Sequence, residues 1–406
     1  MTIDNLPPTF CVAPFLQLTT HPSKSFSPCP YLGGTTWTRV YDSIQARWQS
    51  EDLESLRHQF QAGETPIVCH RCWNEESHGK RSLRQRLYDP ETGQSDYAVI
   101  NQSDLIPTLK QGLERRSYLQ NPRILTIKNG NVCNAKCRSC HPNDSSRWGK
   151  DANQLHARLG FEFYPVDQQE KNWTDQEIDE IFDLSQHLAR LELFGGEPLF
   201  NKKVISLLNR IIDAGHSRRI ALYINTNGSV DMIQKIPEIR QFAAVEIGVS
   251  IDDIGQRFEY TRHGLTFADV IRNIRSWQHY FHTNGVKHSI DSITTVSILN
   301  VFYLPEIKAM VEQLLPLPPF WNLLIDPPHL TISNLHPDIK RPIIDKLSKD
   351  RQQFADLISV IDQPCNLKHW ENFLTITSAL DEIRSENFRQ IFPEMSDLIA
   401  TVARSS

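Results

Sequence analysis

"RILTIKNGNVCNAKCRSCHP", residues 123–142, begins as a short apolar run of strand type and ends as a loop holding Cys133, Cys137 and Cys140. A strand that opens at Gly130 into three thiols puts reactive groups at a strand's carboxyl end, where βα folds carry their chemistry. Outward from it, "ARLELFGGEP" (189–198), "RIALYINTNG" (219–228) and "AAVEIGVSIDD" (243–253) read as further strands. "DQEIDEIFDLSQHL", "KKVISLLNRIIDAG", "MIQKIPEIRQF" and "FADVIRNIRSWQHYFHTNG" have helical spacing, and a last β run, "KHSIDSITTVSI", follows them. Repeated βα units predict an α/β fold with a parallel sheet and crossover helices, either doubly wound or all or part of a barrel.

A chain of 406 residues is long enough for two or three units, and its patterning divides at about 115 and 300. Within the first unit, 1–115, residues 1 to about 88 are rich in Pro, Thr and Ser, with a helical patch, "YDSIQARWQSEDLESLRHQFQAGE", that Gly63 stops, and 89–120 read as a polar connection with one short helix around "LIPTLKQGLERR". Residues 116–300 carry the βα units. Residues 301–406 read as mainly helical, with a Pro-rich break, "LLPLPPFWNLLIDPPHL", and a last helix bearing Trp370, Phe373, Leu374, Ile376 and Leu380 near one face. The 43 basic and 48 acidic residues are interspersed, so no basic run predicts nucleic-acid binding. "MTIDNLPPTFCVAPF" lacks the features of a signal peptide and no run of 18 apolar residues occurs, so the expectation is a cytoplasmic protein with no membrane contact.

Eight cysteines fall into three sets: Cys11, Cys29, Cys69 and Cys72; the triplet; and a solitary Cys365. In a reducing compartment, grouped thiols are metal or cluster ligands more often than disulfides. Closed zinc and 4Fe-4S sites take four ligands, so a triplet leaves one metal position open. His141 is the alternative fourth ligand of a Cys3His zinc loop, although adjacent Cys140 and His141 are awkwardly placed on one tetrahedral metal.

The C-x3-C-x2-C spacing on a βα loop, with "LFGGEP" one unit later, resembles the radical S-adenosylmethionine (SAM) superfamily, over roughly residues 10–395 and most closely over 124–262. The resemblance implies a partial (β/α)6 TIM-like barrel whose three cysteines hold a 4Fe-4S cluster. SAM chelates the open iron and is cleaved reductively to a 5′-deoxyadenosyl radical. The Gly195-Gly196-Glu197 stretch matches the segment whose backbone binds the SAM amino group; glycines allow close approach of the main chain. Asn225, Thr226, Asn227, Ser250 and Asp252, at further strand ends, match ribose and carboxylate contacts, and Arg262 in "YTRHG" matches an Arg that pairs with the SAM carboxylate. Ser139 departs from the family, where an aromatic residue before the third Cys helps hold the adenine.

Four thiols make a complete set for a zinc ribbon or an auxiliary 4Fe-4S cluster. "FCVAPFLQLTTHPSKSFSPC" and "CHRCWNEE" resemble the SPASM or twitch-type auxiliary domains of radical SAM proteins, which hold a second iron-sulfur cluster, although such domains usually follow the core. The resemblance therefore implies a small N-terminal iron-sulfur domain, with His70 a surface residue and the mainly helical C-terminal extension carrying Cys365. A lone cysteine is commonly a small buried hydrophobe; at a helix N-terminus its pKa is expected to fall. In proteusin-type peptide epimerases, which this chain resembles, a cysteine returns a hydrogen atom to the Cα radical of a ribosomally made precursor peptide, turning an L residue into a D residue. The expected partners are that peptide and a reductant such as flavodoxin or ferredoxin. Two rivals stand: a radical SAM peptide cyclase or crosslinking oxidase with the second cluster as electron acceptor, and a non-catalytic iron-sulfur or zinc protein.

Overall fold

The computed structural model describes residues 6–21, 25–32, 41–77, 79–97, 100, 104–114, 119–160 and 170–405. Its strands are β1 (Gln17–His21), β2 (Ser25–Ser27), β3 (Ile124–Lys128), β4 (Arg190–Phe194), β5 (Ala221–Thr226), β6 (Ala244–Ser250), β7 (His288–Val296) and β8 (Phe320–Leu323). They form one sheet in the order β2-β1-β3-β4-β5-β6-β7-β8. Only β1 and β2 pair antiparallel; every other neighbouring pair is parallel. Strands β3 to β8 are six successive parallel strands, and no ladder joins β8 to β2, so the fold is an open, partial (β/α)6 barrel.

The sheet crosses both sequence boundaries. β1 and β2 come from the N-terminal unit, and β1 extends the parallel run by pairing with β3 from Gln17↔Ile124 to Thr20↔Ile127. β8 lies inside the Pro-rich segment that reads as a break between helices, and its four residues alternate exposed and half-buried. A four-residue strand flanked by prolines carries too few alternations to be recognised by period. The helical patch near residue 50 is two helices, Ile44–Trp48 and Glu51–Gln61, because the Ser50 hydroxyl accepts from the Leu53 N–H and starts the second.

Period-two patterning gives the central strands two different faces. Leu125 and Ile127, Leu191 and Leu193, Leu222 and Ile224, and Val245, Ile247 and Val249 are all buried beneath the crossover helices, each contributing about 1.5–3 kcal/mol by leaving water. The other face carries polar residues that bond to one another across the strands. Gln17 donates to Thr126 at 2.9 Å, Thr126 donates to Glu192 at 2.7 Å, and Arg190 pairs with Glu192 at 2.7 Å and Glu246 at 2.8 Å. Because one register alone makes these bonds, the network fixes how four strands slide past each other.

Crossover helices begin on side-chain caps: Thr174 with a Glu177 capping box for Asp175–Ser185, and Asn201 for Lys202–Asp213. Among the C-terminal helices, Leu367–Arg384 lays Ile376, Ala379 and Leu380 against Trp148, Ala152 and Leu155 beside Gly149–Leu159. Trp370, Phe373, Ile376 and Leu380 are buried as expected, whereas Leu374 is 38% exposed. No helix among the described residues is long and apolar enough to cross a membrane.

Candidate functional site

The thiol triplet sits on the loop leaving β3, held by backbone and side-chain bonds from three directions. Asn131 anchors its start: the side chain accepts from the Lys171 N–H at 2.7 Å and donates to the Pro142 carbonyl at 3.2 Å. Lys136 and Arg138, the residues between the thiols, donate their N–H groups to the His263 and Thr261 carbonyls, each at 2.8 Å. Trp148 Nε1 donates to the Cys137 carbonyl at 2.9 Å. Cys133 and Cys137 are buried and Cys140 half-buried.

Electrostatics separate the three sulfurs. Burial, with the Cys137 sulfur nearby, pushes the Cys133 thiol up to about 12. A hydrogen bond with Cys140, against the cost of burial and aided by the Arg262 guanidinium, holds Cys137 below the usual thiol range. Cys140 is raised by that same bond and by burial. Among the described residues no three Cys, His, Asp or Glu side chains stand in ready-made metal-ligating geometry; Cys137 and Cys140 hydrogen-bond to each other, and Cys133 bonds to the Ala135 backbone.

The glycine stretch wraps the base of this loop. Gly195 and Gly196 have φ of +76° and +51°, and a Cβ on Gly196 would lie 2.5 Å from the Val132 carbonyl oxygen, so only glycine fits there. The next residue, Glu197, donates its N–H to that same carbonyl at 2.8 Å. Its carboxylate is fully enclosed and accepts from the Thr226 hydroxyl at 2.7 Å, the Asn227 N–H at 2.7 Å and the Leu199 N–H at 3.1 Å. Burial pushes this carboxyl up to about 6 against those three bonds.

The polar residues predicted at the rim divide into two groups. Asn227 bonds to Asn134 at 2.9 Å and accepts from Ser229. Asp252 holds Arg262 at 2.8 Å and accepts from the Thr295 N–H at 2.8 Å. Arg262 sends its other arm to within 3.8 Å of Cys137 Sγ. Burial acts to lower the Arg262 pKa, and Asp252 and Cys137 outweigh it, so it is raised. Glu197, Asn227 and Asp252 are thus occupied within the protein, as are both terminal nitrogens of Arg262, whose Nε is buried with no hydrogen-bond partner. Asn225 differs: its side-chain oxygen is buried and has no hydrogen-bond partner. Ser250 is half-buried at the end of β6.

Cys11, Cys29, Cys69 and Cys72 line one cavity of about 30 Å³ together with Tyr31, Arg71 and Arg84. Burial pushes Cys29 and Cys69 up to about 12 and raises Cys11 and Cys72. His70 is exposed beside them. The chain runs from Cys11 through a four-residue helix, Ala13–Leu16, into the amino end of β1, and Cys29 follows β2 as it returns to that end. This cavity therefore lies at the opposite end of the sheet from the triplet, which follows the carboxyl end of β3.

Cys365 is half-buried and donates to the Asn334 carbonyl at 3.4 Å. Its pKa is not lowered, as a helix N-terminus would do, but raised by burial with Lys340 opposing. The thiol precedes the N-cap Asn366 and turns to a carbonyl rather than to the first N–H groups of Leu367–Arg384. Patterning alone missed Arg138, Tyr260, His263, Asp381 and Glu386, which meet behind the loop. Two cations interleaved with three thiols, Lys136 and Arg138, were the available signal, since buried cations require carboxylates.

Residues 127–298 match the family model described as the Radical SAM superfamily. No curated protein matches the chain. Among solved structures, anSMEcpe with bound AdoMet and Cp18Cys peptide is 16% identical at a TM-score of 0.37, over 59% of this chain and 62% of that one. Streptococcus suis SuiB bound to S-adenosylmethionine is 13% identical at 0.37, over 73% and 62%. SuiB bound to the precursor peptide SuiA is 14% identical at 0.35, over 74% and 62%. The chain thus spans less than two thirds of the length of these solved structures. The chain is thus similar to the radical SAM superfamily over residues 127–298.

Proposed function

We propose that the chain is a radical SAM peptide epimerase, converting L to D residues in a ribosomally made precursor peptide, with Cys365 as hydrogen-atom donor. The observation that carries this is the placement of Cys365: a half-buried thiol whose S–H donates to the Asn334 carbonyl, held at the head of the last long helix. The helix beginning two residues later packs Ile376 and Leu380 beside Cys140.

The site residues fit the cofactors the family implies. Three grouped thiols offer three ligands to a 4Fe-4S cluster and leave one iron open. The unpartnered Asn225 oxygen and the Gly195-Gly196 backbone offer polar contacts at the same rim. When bound, cluster and SAM supply the deoxyadenosyl radical that takes the Cα hydrogen. Glu197, Asn227, Asp252 and Arg262 hold the strand ends and the Cys137 side of the loop in place. The Cys365 thiol gives its hydrogen atom to the opposite face of Cα, and an external carrier such as flavodoxin or ferredoxin returns one electron, with a proton from water.

The four-thiol cavity favours a second reading, a crosslinking oxidase in which an auxiliary cluster accepts an electron. Mass spectrometry separates the two. Incubation in deuterated water with a candidate precursor peptide adds about one mass unit per epimerised site, whereas crosslinking removes two hydrogens. Cys365→Ala should end deuterium uptake while deoxyadenosine still forms; D-residue formation without Cys365 would exclude it as donor.

A further inference from the structure

We infer that the C-terminal helix Leu367–Arg384 and its cap clamp the cysteine loop, with Arg138, Asp381 and Glu386 acting as positioning residues for the cluster held by Cys133, Cys137 and Cys140. This rests on the radical SAM reading of the triplet. It gives the C-terminal extension a role in the metal site itself, separate from that of Cys365.

Arg138 lies between the second and third thiols and its side chain is 3% exposed. One of its terminal nitrogens donates to both Asp381 and Glu386 at 2.6 Å, across more than 240 residues of sequence. Each carboxylate also binds the segment that grips the loop backbone. Tyr260 donates to Asp381 at 2.7 Å, and His263 Nδ1 is 2.6 Å from Glu386. The Arg138 guanidinium stacks 3.7 Å from the centre of the Tyr260 ring. A parallel arm runs from Lys136 to Asp151 at 2.9 Å and on to Arg384 at 2.8 Å, and Arg384 covers the Trp148 ring.

The end of the helix is shaped for this contact. Ser385 is the one non-glycine residue with positive φ among the described residues, at +56°. Such a conformation persists where the surroundings over-determine it. Here it turns the chain so that Glu386 reaches the same guanidinium nitrogen as Asp381, while the Glu386 N–H bonds back to the Asp381 carbonyl at 2.8 Å. Asp381 in turn accepts from the Phe388 N–H at 2.6 Å, starting the next helix. Three cations, Lys136, Arg138 and Arg384, face three carboxylates, Asp151, Asp381 and Glu386, the last of them also bonded to His263. Deleting one member leaves an uncompensated charge beside the loop, and local net charge tunes an iron-sulfur potential.

The test uses the full-length chain reconstituted anaerobically, reading iron content, release of iron to a chelator, and the midpoint potential from redox titration followed by electron paramagnetic resonance. Asp381→Asn and Glu386→Gln should raise the midpoint, Arg138→Met should lower it, and each should weaken iron retention about tenfold to hundredfold. Arg138→Lys, which keeps the charge and loses the fork, should restore the potential more than the retention. Variants that fold, hold iron and titrate as the parent does would overturn the clamp. A parent chain that takes up no iron at the triplet would instead overturn the reading on which the clamp rests.

Discussion

The Glu197 carboxylate and the Thr226 hydroxyl meet at 2.7 Å inside the protein, joining the carboxyl end of β4 to that of β5. The acid of the glycine stretch therefore turns inward, and its three bonds hold two strand ends and the following turn together. Replacing Glu197 with Ala leaves a hydroxyl and two N–H groups without acceptors, an expected loss of about 2–4 kcal/mol. Urea unfolding of the metal-free chain measures it. A Glu197→Ala variant as stable as the parent would show that those groups find water instead.

Gly196→Ala should damage the triplet without touching a thiol. The new Cβ meets the Val132 carbonyl oxygen at 2.5 Å and the φ of +51° disfavours it, so about 1–3 kcal/mol of strain falls on the residue before Cys133. Lower iron content after reconstitution, with the four-thiol site still filled, is the expected outcome.

On the proposed reading the four-thiol cavity takes up zinc or iron and sulfide, and elemental analysis with sulfide assay separates them. Cys69→Ser and Cys72→Ser should each remove one whole complement of metal and leave the triplet's complement in place. Equal metal content in parent and variants would mean the cavity is filled by protein alone.

Acid sensitivity should trace in part to His329. Burial, with His369 nearby, lowers it to about 3, while the unfolded chain binds that proton near 6.5. Stability from this group is complete above pH 6.5 and declines as pH falls towards 3, by up to about 1.4 kcal/mol per pH unit. His329→Gln should flatten that part of the profile in denaturant titrations at pH 4.5, 5.5 and 7; an unchanged slope would assign the acid loss elsewhere.

What the sequence made legible follows from range. Period-two runs ending in Gly130 and in Gly195-Gly196 marked β3 and β4 and put the triplet and the glycine stretch at neighbouring strand ends, because strand, turn and loop are contiguous. Direction was harder to read. Glu197, Asp252 and Arg262 looked like ligand contacts by position, and only packing reveals that their polar atoms face Thr226, Thr295 and Cys137. Contacts between distant segments left the weakest trace: β1 joining β3 across a hundred residues, and Asp381 meeting Arg138 across more than two hundred. Carboxylates on a helix look alike whether they face water or a buried arginine.

The pairing of β1 with β3 also sets a distance for electrons. The four-thiol cavity precedes β1 and the triplet follows β3, so the two sulfur sites lie towards opposite ends of a pair of five-residue strands, each about 17 Å long at 3.3 Å per residue. A metal group in that cavity does not touch a molecule bound at the triplet's rim. On the proposed reading, an electron passing between them would follow the hydrogen-bonded ladder of the two strands, which would give the N-terminal segment the part of a wire.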